Sequence, residues 1–234
     1  MKIVMSNPWL VVIDHVLSPQ QCKEIIDIGE RKFEPSEEGG DRYQGIRTSG
    51  HCFISREDYC PGVKKLCEVT SMLTKTPPQH AENGCIIKYN PGEEYKTHFD
   101  FFKDGRNKED AEALKEGFYA EPAGDRLYSC IYYLNDDYKG GTTDFPEADI
   151  GVHPSTGRVV IFKNYIAGPD GKQILNMKSL HCGRKVLSGT KYIVTKWVRQ
   201  KPFSPTWEEQ LKEGIVKGPD NKMVKEPTKK TKKS

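Results

Sequence analysis

The spacing of apolar residues changes along the chain, from a helical pattern to short β-rich runs. Near the start, residues 9–17 are rich in β-branched side chains and predict a strand. Ser18 follows as a predicted helix N-cap, with Pro19 in the first turn and Gln21 completing a capping box. Residues at helical spacing then predict the buried stripe of this helix: Cys22, Ile25, Ile26 and Gly29.

A second helix is predicted around residues 63–74, ended by Thr76-Pro77-Pro78. From Gly84 onward, β-rich runs separated by Gly, Pro, Asn and Asp predict strands at 85–89, 127–134, 158–162 and 191–199. Helices followed by antiparallel strands predict an α+β domain. Its core would be a two-sheet β-sandwich or jelly roll, flanked by N-terminal helices.

Two polar segments stand apart from these elements. Residues 103–125 are charged and predict a surface insertion. The stretch 221–234 holds six lysines against one glutamate, a charge of +5, so the rest of the chain carries −2 of the total of +3. We predict one domain over residues 1–201, followed by a C-terminal extension over 202–234 with a disordered basic tail from about residue 218.

The composition is that of a soluble protein. Charged residues make up 29% of the chain, and no apolar run approaches the ~18 residues of a membrane span. The first residues lack the pattern of a secretory signal, so we expect a cytoplasmic or otherwise soluble intracellular protein. Seven cysteines without metal-binding spacing fit reduced thiols, although a bridge between Cys52 and Cys60 stays open for an oxidising compartment.

Candidate metal ligands lie in His98-Phe99-Asp100. These residues follow the turn at Pro91-Gly92, which places them on or at the end of a strand. Since side chains alternate along a strand, His98 and Asp100 can point to the same face and offer an imidazole and a carboxylate to one ion. This pattern arises often by chance, so a third ligand is needed to support it.

The chain has only six histidines from which a third ligand can come. His181 lies 83 residues after His98, among the late strands. Two histidines and one carboxylate on one face of an octahedron leave three positions open, which is the usual arrangement of non-haem Fe(II) oxygenases. A chelating cosubstrate can take two of these positions and O₂ the third.

Lys191 strengthens this interpretation. It follows His181 by ten residues and shares a strand face with Trp197. A lysine that faces the inside of a sandwich needs a paired charge, which the distal carboxylate of 2-oxoglutarate would provide. The opposite face of the same strand carries Lys196, so alternation alone does not decide which lysine faces inward.

Three motifs carry a resemblance to a known family. They are the run from Tyr89 to Asp100, the run Gly140-Gly141-Thr142-Thr143-Asp144-Phe145-Pro146, and His181 with Lys191 and Thr195-Lys196-Trp197. Together they resemble the catalytic domain of the prolyl 4-hydroxylases, over about residues 9–201. The resemblance implies a double-stranded β-helix that uses Fe(II), 2-oxoglutarate and O₂, with ascorbate as reductant. The insertion at 103–125 departs from the family pattern.

The resemblance also implies roles for single residues. The expected iron ligands are His98, Asp100 and His181, which with Lys191 form the catalytic set. The expected cosubstrate residues are Lys191, Tyr89 and Ser129, the last at a position where the family often has threonine. The expected substrate-binding residues, of which the first two begin a mobile loop, are Arg47, Ser49, Glu82, Tyr95 and Trp197.

The implied reaction is the hydroxylation of peptidyl proline, with 2-oxoglutarate converted to succinate and CO₂. One alternative is a 2-oxoglutarate oxygenase that acts on nucleic acid or on another amino-acid side chain, to which the basic tail gives some support. A second alternative is a catalytically silent peptide-binding module. The mildly acidic remainder of the chain argues against nucleic acid, and the complete ligand set argues against a silent module. We expect no membrane partner.

Overall fold

The computed structural model describes residues 1–33, 49–55, 58–101 and 123–203. Its helices are α1 (Pro19–Lys32) and α2 (Pro61–Thr74). Its strands, in chain order, are β1 (Lys2–Ser6), β2 (Leu10–Asp14), β3 (Gly50–Phe53), β4 (Cys85–Tyr89), β5 (Tyr95–His98), β6 (Arg126–Tyr133), β7 (Lys139–Gly140), β8 (Thr143–Phe145), β9 (Ile150–Val152), β10 (Val159–Lys163), β11 (Tyr165–Ala167), β12 (Gln173–Leu175), β13 (His181–Gly183), β14 (Val186–Ser188) and β15 (Lys191–Arg199).

Several predictions lie outside the described residues. They concern Arg47, most of the insertion at 103–125 and the basic tail beyond residue 218. Within the part that the structure describes, neither helix combines the length and apolar character that a membrane span needs.

Both predicted helices are present. The Ser18 hydroxyl accepts a hydrogen bond from the Gln21 amide at 3.2 Å, and the Gln21 side chain accepts one from the Ser18 amide at 2.9 Å, which completes the capping box. Helix α2 begins two residues earlier than predicted, with Cys60 as its N-cap. The buried stripe of α1 contains Ile28, whereas the predicted Ile26 is half-buried.

Two antiparallel sheets form the core of the fold. The larger sheet has seven strands in the order β1-β2-β10-β6-β15-β4-β3, and the smaller has four in the order β5-β13-β8-β9. Neighbouring strands come from distant parts of the chain, as in a jelly roll. Strand β1 was not predicted. It lies at the edge of the large sheet, and its Ile3 and Val4 are both exposed, so no two-residue alternation marks it.

Both faces of the large sheet are buried. Along β15, Ile193 belongs to the apolar cluster between the two sheets, and Val194 belongs to the cluster beneath the helices. Along β6, Tyr133 belongs to the cluster between the sheets and Tyr132 to the cluster beneath the helices. Central strands of such a sheet are apolar on both faces, which explains why alternation did not orient Lys191.

Candidate metal centre

Three potential ligands converge at one place in the small sheet. His98 ends β5, Asp100 follows two residues later, and His181 begins the neighbouring strand β13. His98 and His181 are direct partners in the pairing of these strands. One ligand atom from each of the three residues lies within 4.8 Å of the others. Strand pairing therefore brings together the three residues that the sequence analysis grouped.

Hydrogen bonds fix the orientation of both imidazole rings. Nδ1 of His98 lies 2.7 Å from the Lys96 carbonyl oxygen, and Nδ1 of His181 lies 2.9 Å from the Ser179 carbonyl oxygen. A carbonyl oxygen only accepts, so each Nδ1 carries the hydrogen and each neutral ring keeps a lone pair on Nε2. These Nε2 atoms lie 3.6 Å and 3.7 Å from the two carboxylate oxygens of Asp100.

The electrostatics of the cluster fit a bound cation. Asp100 is buried, and its Oδ2 has no hydrogen-bond partner among the residues that the structure describes. Burial, followed by the charge of His98, lowers the pKa of His181 to about 4, so this imidazole is neutral at physiological pH. A carboxylate and two imidazole lone pairs that face each other need a positive charge between them. Two histidines and one carboxylate are the donor set that suits Fe(II).

Lys191 lies on the face of β15 that is turned towards the small sheet. It is 1% exposed, and its Nζ donates a hydrogen bond to the Gly141 carbonyl oxygen at 2.7 Å. The Nζ atom also lies 5.1 Å and 5.7 Å from the ring centroids of Tyr89 and Tyr133. Burial lowers the pKa of this amine to about 7. Lys191 and Tyr89, both expected to bind the cosubstrate, are thus neighbours.

Lys196 is also buried, but on the opposite face of β15. Its Nζ donates to the carbonyl oxygen of Glu82 at 2.8 Å, which gives this lysine a structural partner. The inward orientation that the sequence analysis favoured for Lys191 is the observed one.

Gly183 brings the main chain of β13 close to the lysine amine. A Cβ atom at Gly183, two residues after His181, would lie 3.8 Å from Lys191 Nζ and 3.6 Å from the Cβ of Tyr95. The Lys191 amine and the Tyr95 side chain therefore both lie close to the strand that carries His181.

Of the predicted substrate residues, Tyr95 adjoins the metal cluster directly and Trp197 is linked to it through Arg126. The Tyr95 ring stacks on the His98 ring, with centroids 3.7 Å apart. The Trp197 ring is covered by Arg126, whose guanidinium carbon lies 3.8 Å from the ring centroid. Arg126 also donates a hydrogen bond to the Asp100 carbonyl oxygen at 3.4 Å. Arg126 was not among the residues predicted from the sequence.

Glu82 lies behind Arg126. Its carboxylate accepts two hydrogen bonds from Arg126, at 2.8 Å and 2.9 Å, and a third from Arg199 at 3.0 Å. Burial raises the pKa of Glu82, but the two arginines outweigh this effect and hold it below its usual range. The carboxylate is ionised and already paired, so Glu82 adjoins the substrate residues through Arg126.

Ser129 lies on the inner face of β6, between two neighbouring strands. It pairs with Trp197 of β15 on one side and with Phe162 of β10 on the other, and the centroid of the Phe162 ring lies 4.8 Å from that of the His181 ring. The Ser129 hydroxyl accepts a hydrogen bond from the Asn164 amide at 3.0 Å. A role for Ser129 in binding the cosubstrate stays a prediction. Ser49 is half-buried just before β3.

Comparisons with known proteins agree with this fold. A model of the 2OG-Fe(II) oxygenase superfamily matches residues 85–199. Prolyl 4-hydroxylase 1 from Arabidopsis thaliana is 30% identical over 222 residues, which cover 87% of this chain and 73% of that protein. The 2OG complex of the viral collagen prolyl hydroxylase vCPH from Paramecium Bursaria Chlorella virus-1 aligns with a TM-score of 0.60 at 23% identity, over 84% of this chain and 98% of that one.

A third similar structure is a prolyl hydroxylase from Trichoplax adhaerens, in complex with a peptide fragment of the hypoxia inducible factor oxygen degradation domain. It aligns with a TM-score of 0.54 at 15% identity, over 82% of this chain and 84% of that one. At these identities the two solved structures show the fold. The predicted α+β fold with a double-stranded β-helix core is therefore confirmed.

The chain belongs to the prolyl 4-hydroxylase-like family of the 2OG-Fe(II) oxygenase superfamily. Its members are 2-oxoglutarate-dependent dioxygenases, so the predicted enzyme class is confirmed, with Fe(II) and 2-oxoglutarate as its cofactor and cosubstrate.

Proposed function

We propose that this protein hydroxylates proline residues in a peptide or protein substrate, with His98, Asp100 and His181 as its iron ligands. The observation that carries the proposal is the convergence of the two Nε2 atoms on a buried carboxylate, one oxygen of which accepts no hydrogen bond from the described residues. The preference for proline is inferred from similarity, because prolyl 4-hydroxylase 1 of Arabidopsis thaliana is 30% identical to this chain.

Different residues of this chain bind the metal, bind the cosubstrate and orient the metal ligands. Iron bound by the triad, with 2-oxoglutarate and O₂, supplies the oxidation that hydroxylates a C–H bond and yields succinate and CO₂, and ascorbate is the proposed reductant. Lys191 pairs with the distal carboxylate of 2-oxoglutarate and so orients this cosubstrate towards the triad. Nδ1–H donation to main-chain carbonyls keeps both imidazoles aimed at the metal.

The aromatic residues beside the triad suit a peptide that contains proline. Trp197 and Tyr95 present ring faces, and a proline ring packs well against such surfaces. Proline also restricts the peptide backbone, so an extended substrate loses less conformational entropy on binding. Arg126 packs on one face of the Trp197 ring and donates a hydrogen bond to the main chain of Asp100. Arg126 therefore links a proposed substrate residue to a proposed iron ligand.

The proposal is tested by incubating purified protein with Fe(II), 2-oxoglutarate, ascorbate and proline-rich, collagen-like or elongation-factor peptides. We expect 4-hydroxyproline in at least one peptide, detected by mass spectrometry, and one succinate released for each proline hydroxylated. Succinate release that only a nucleic acid stimulates, with no peptide hydroxylated, would overturn the substrate assignment and leave the oxygenase class intact.

A further inference from the structure

A second polar side chain lies beside Lys191. Tyr138 sits in the connection between β6 and β7 and is 8% exposed. A Cβ atom placed on Gly141 would lie 2.9 Å from Tyr138 Cε2 and 3.1 Å from Lys191 Cδ. Tyr138 Cε2, which adjoins the ring carbon that bears the hydroxyl, therefore lies within about 6 Å of Lys191 Cδ.

The Tyr138 hydroxyl is buried without a hydrogen-bond partner among the described residues. Burial, followed by the charge of Tyr133, raises its pKa above the usual range, so the hydroxyl keeps its proton. A buried hydroxyl that makes no hydrogen bond destabilises a protein, and such groups are few in folded domains. The Tyr138 hydroxyl therefore indicates a ligand that accepts its hydrogen bond.

Some of the hydrogen-bond donors near the Lys191 amine are already used by acceptors of the protein. One hydrogen of the Lys191 ammonium goes to the Gly141 carbonyl oxygen, which leaves two. The Tyr133 hydroxyl donates to Thr143 Oγ1 at 2.6 Å or to the Val152 carbonyl oxygen at 3.2 Å. A buried carboxylate accepts about four hydrogen bonds, so two lysine hydrogens leave its acceptors only half satisfied.

We propose that the Tyr138 hydroxyl donates a hydrogen bond to the distal carboxylate of 2-oxoglutarate, beside Lys191. Tyr138 then determines which 2-oxo acids the protein accepts, because only an acid with a second carboxylate reaches this hydroxyl. The inference rests on the proposed function, in which Lys191 binds that carboxylate.

The test measures binding rather than turnover. Isothermal titration of the full-length protein loaded with redox-inert Mn(II) gives dissociation constants for 2-oxoglutarate and for pyruvate, which lacks the distal carboxylate. We expect Tyr138→Phe to weaken 2-oxoglutarate binding about tenfold or more, the range of a lost hydrogen bond to a charged group, and to leave pyruvate binding unchanged. The ligand-free variant should melt at the same temperature as the parent or higher, because it lacks the unsatisfied hydroxyl.

Tyr132→Phe is the matched control. The Tyr132 hydroxyl is buried on the opposite face of β6, where it lies 2.7 Å from Thr70 Oγ1. Removing this satisfied hydroxyl should lower the melting temperature and leave 2-oxoglutarate binding unchanged.

A third variant, Lys191→Ala, separates the possible failures. If Lys191→Ala loses 2-oxoglutarate binding and Tyr138→Phe does not, Tyr138 only packs against the lysine and the inference is wrong. If both variants bind 2-oxoglutarate like the parent, the cosubstrate site itself is misplaced. Equal losses of 2-oxoglutarate and pyruvate binding in Tyr138→Phe would also overturn the inference, because they would indicate a general distortion of the site.

Discussion

The guanidinium carbon of Arg126 lies 3.8 Å from the centroid of the Trp197 indole ring. On its other side the same guanidinium forms a two-pronged pair with the Glu82 carboxylate. A planar guanidinium can stack on an aromatic ring and fork onto a carboxylate at the same time, which a lysine ammonium cannot do. Glu82 therefore holds Arg126, and Arg126 holds the ring that we propose to contact the substrate.

Removing Glu82 should destabilise the fold. In Glu82→Ala the half-buried Arg126 and the buried Arg199 would face each other without a counter-charge. We expect the free energy of unfolding to fall by about 3–5 kcal/mol, as for other buried pairs that lose one partner. Urea denaturation followed by circular dichroism measures this change.

Glu30→Ala is the control for the Glu82 variant. Glu30 pairs with Lys88 at the surface, at 2.8 Å, and such exposed pairs contribute about 0–1 kcal/mol. Equal losses of stability in the two variants would mean that the Glu82 network is not effectively buried.

The three proposed iron ligands should each be essential. His181→Ala, His98→Ala and Asp100→Ala leave two protein ligands, which bind Fe(II) weakly and in the wrong geometry. We expect no 2-oxoglutarate-dependent succinate release above background from any of them. His153→Ala, at an exposed position, is the control and should keep full activity. Substantial turnover in any ligand variant would refute the metal site.

The two buried lysines of β15 should differ in function. In Lys191→Ala the cosubstrate loses a charge-assisted pair of roughly 1.5–3 kcal/mol, so its dissociation constant should rise strongly while metal binding changes little. Lys196→Ala removes only a bond to the Glu82 carbonyl oxygen and should lower stability without changing that constant. The reverse pattern in titrations with 2-oxoglutarate would mean that the roles of the lysines are exchanged.

Binding of 2-oxoglutarate should depend on pH through Lys191. Burial lowers the pKa of this amine to about 7, and the dianionic ligand needs the ammonium form. Below about pH 7 the amine is already protonated, so this group adds no pH dependence. Above it, binding must take up a proton, and the affinity should fall by up to about tenfold per pH unit.

Calorimetry in buffers of different ionisation enthalpy measures that proton directly. We expect about one proton taken up per ligand at pH 8 and almost none at pH 6. Lys191→Ala is the control and should show no uptake from this group at either pH. Binding without proton uptake at pH 8 in the parent protein would place the pKa of Lys191 well above 7.

Local signals predicted the elements of the fold well. Ser18 and Gln21 form the capping box that their spacing indicated, and the apolar runs at Cys85–Tyr89 and Lys191–Arg199 are strands with the predicted bounds. These features depend on neighbours in the sequence. The orientation of Lys191 was not fixed by alternation, because helices cover one face of the large sheet and the small sheet covers the other.

Arg126 shows why part of the site could not be predicted. Simple alternation back from Ser129 would place Leu127, not Arg126, on the inner face of β6. The pairing of β6 with β15 shifts register between Val198 and Arg199, and Leu127 is the extra residue. A bulge of this kind re-aims the side chains next to it, and its position depends on the partner strand. The sequence carries no local mark of it.

Trp197 provides the test that separates substrate binding from the oxygenase core. Its ring is covered by Arg126 on one side, and its Nε1 has no hydrogen-bond partner among the described residues. Replacing it with alanine removes the surface on which we propose that the proline ring packs. The two histidine ligands and Lys191 should stay in place, because their side chains are held by main-chain carbonyl oxygens of other residues. We therefore expect Trp197→Ala to hydroxylate peptide poorly while slow, peptide-independent succinate release persists.

Both products should be measured on the same samples, 4-hydroxyproline by mass spectrometry and succinate by an enzyme-coupled assay. Trp197→Phe is the matched variant, because it keeps an aromatic face for Arg126 and for the substrate, and it should recover part of the peptide hydroxylation. A parallel loss of both products in Trp197→Ala would show that the ring supports the metal or cosubstrate site instead. Unchanged peptide hydroxylation would mean that the substrate contacts another surface, and the aromatic face of Trp197 would then be structural.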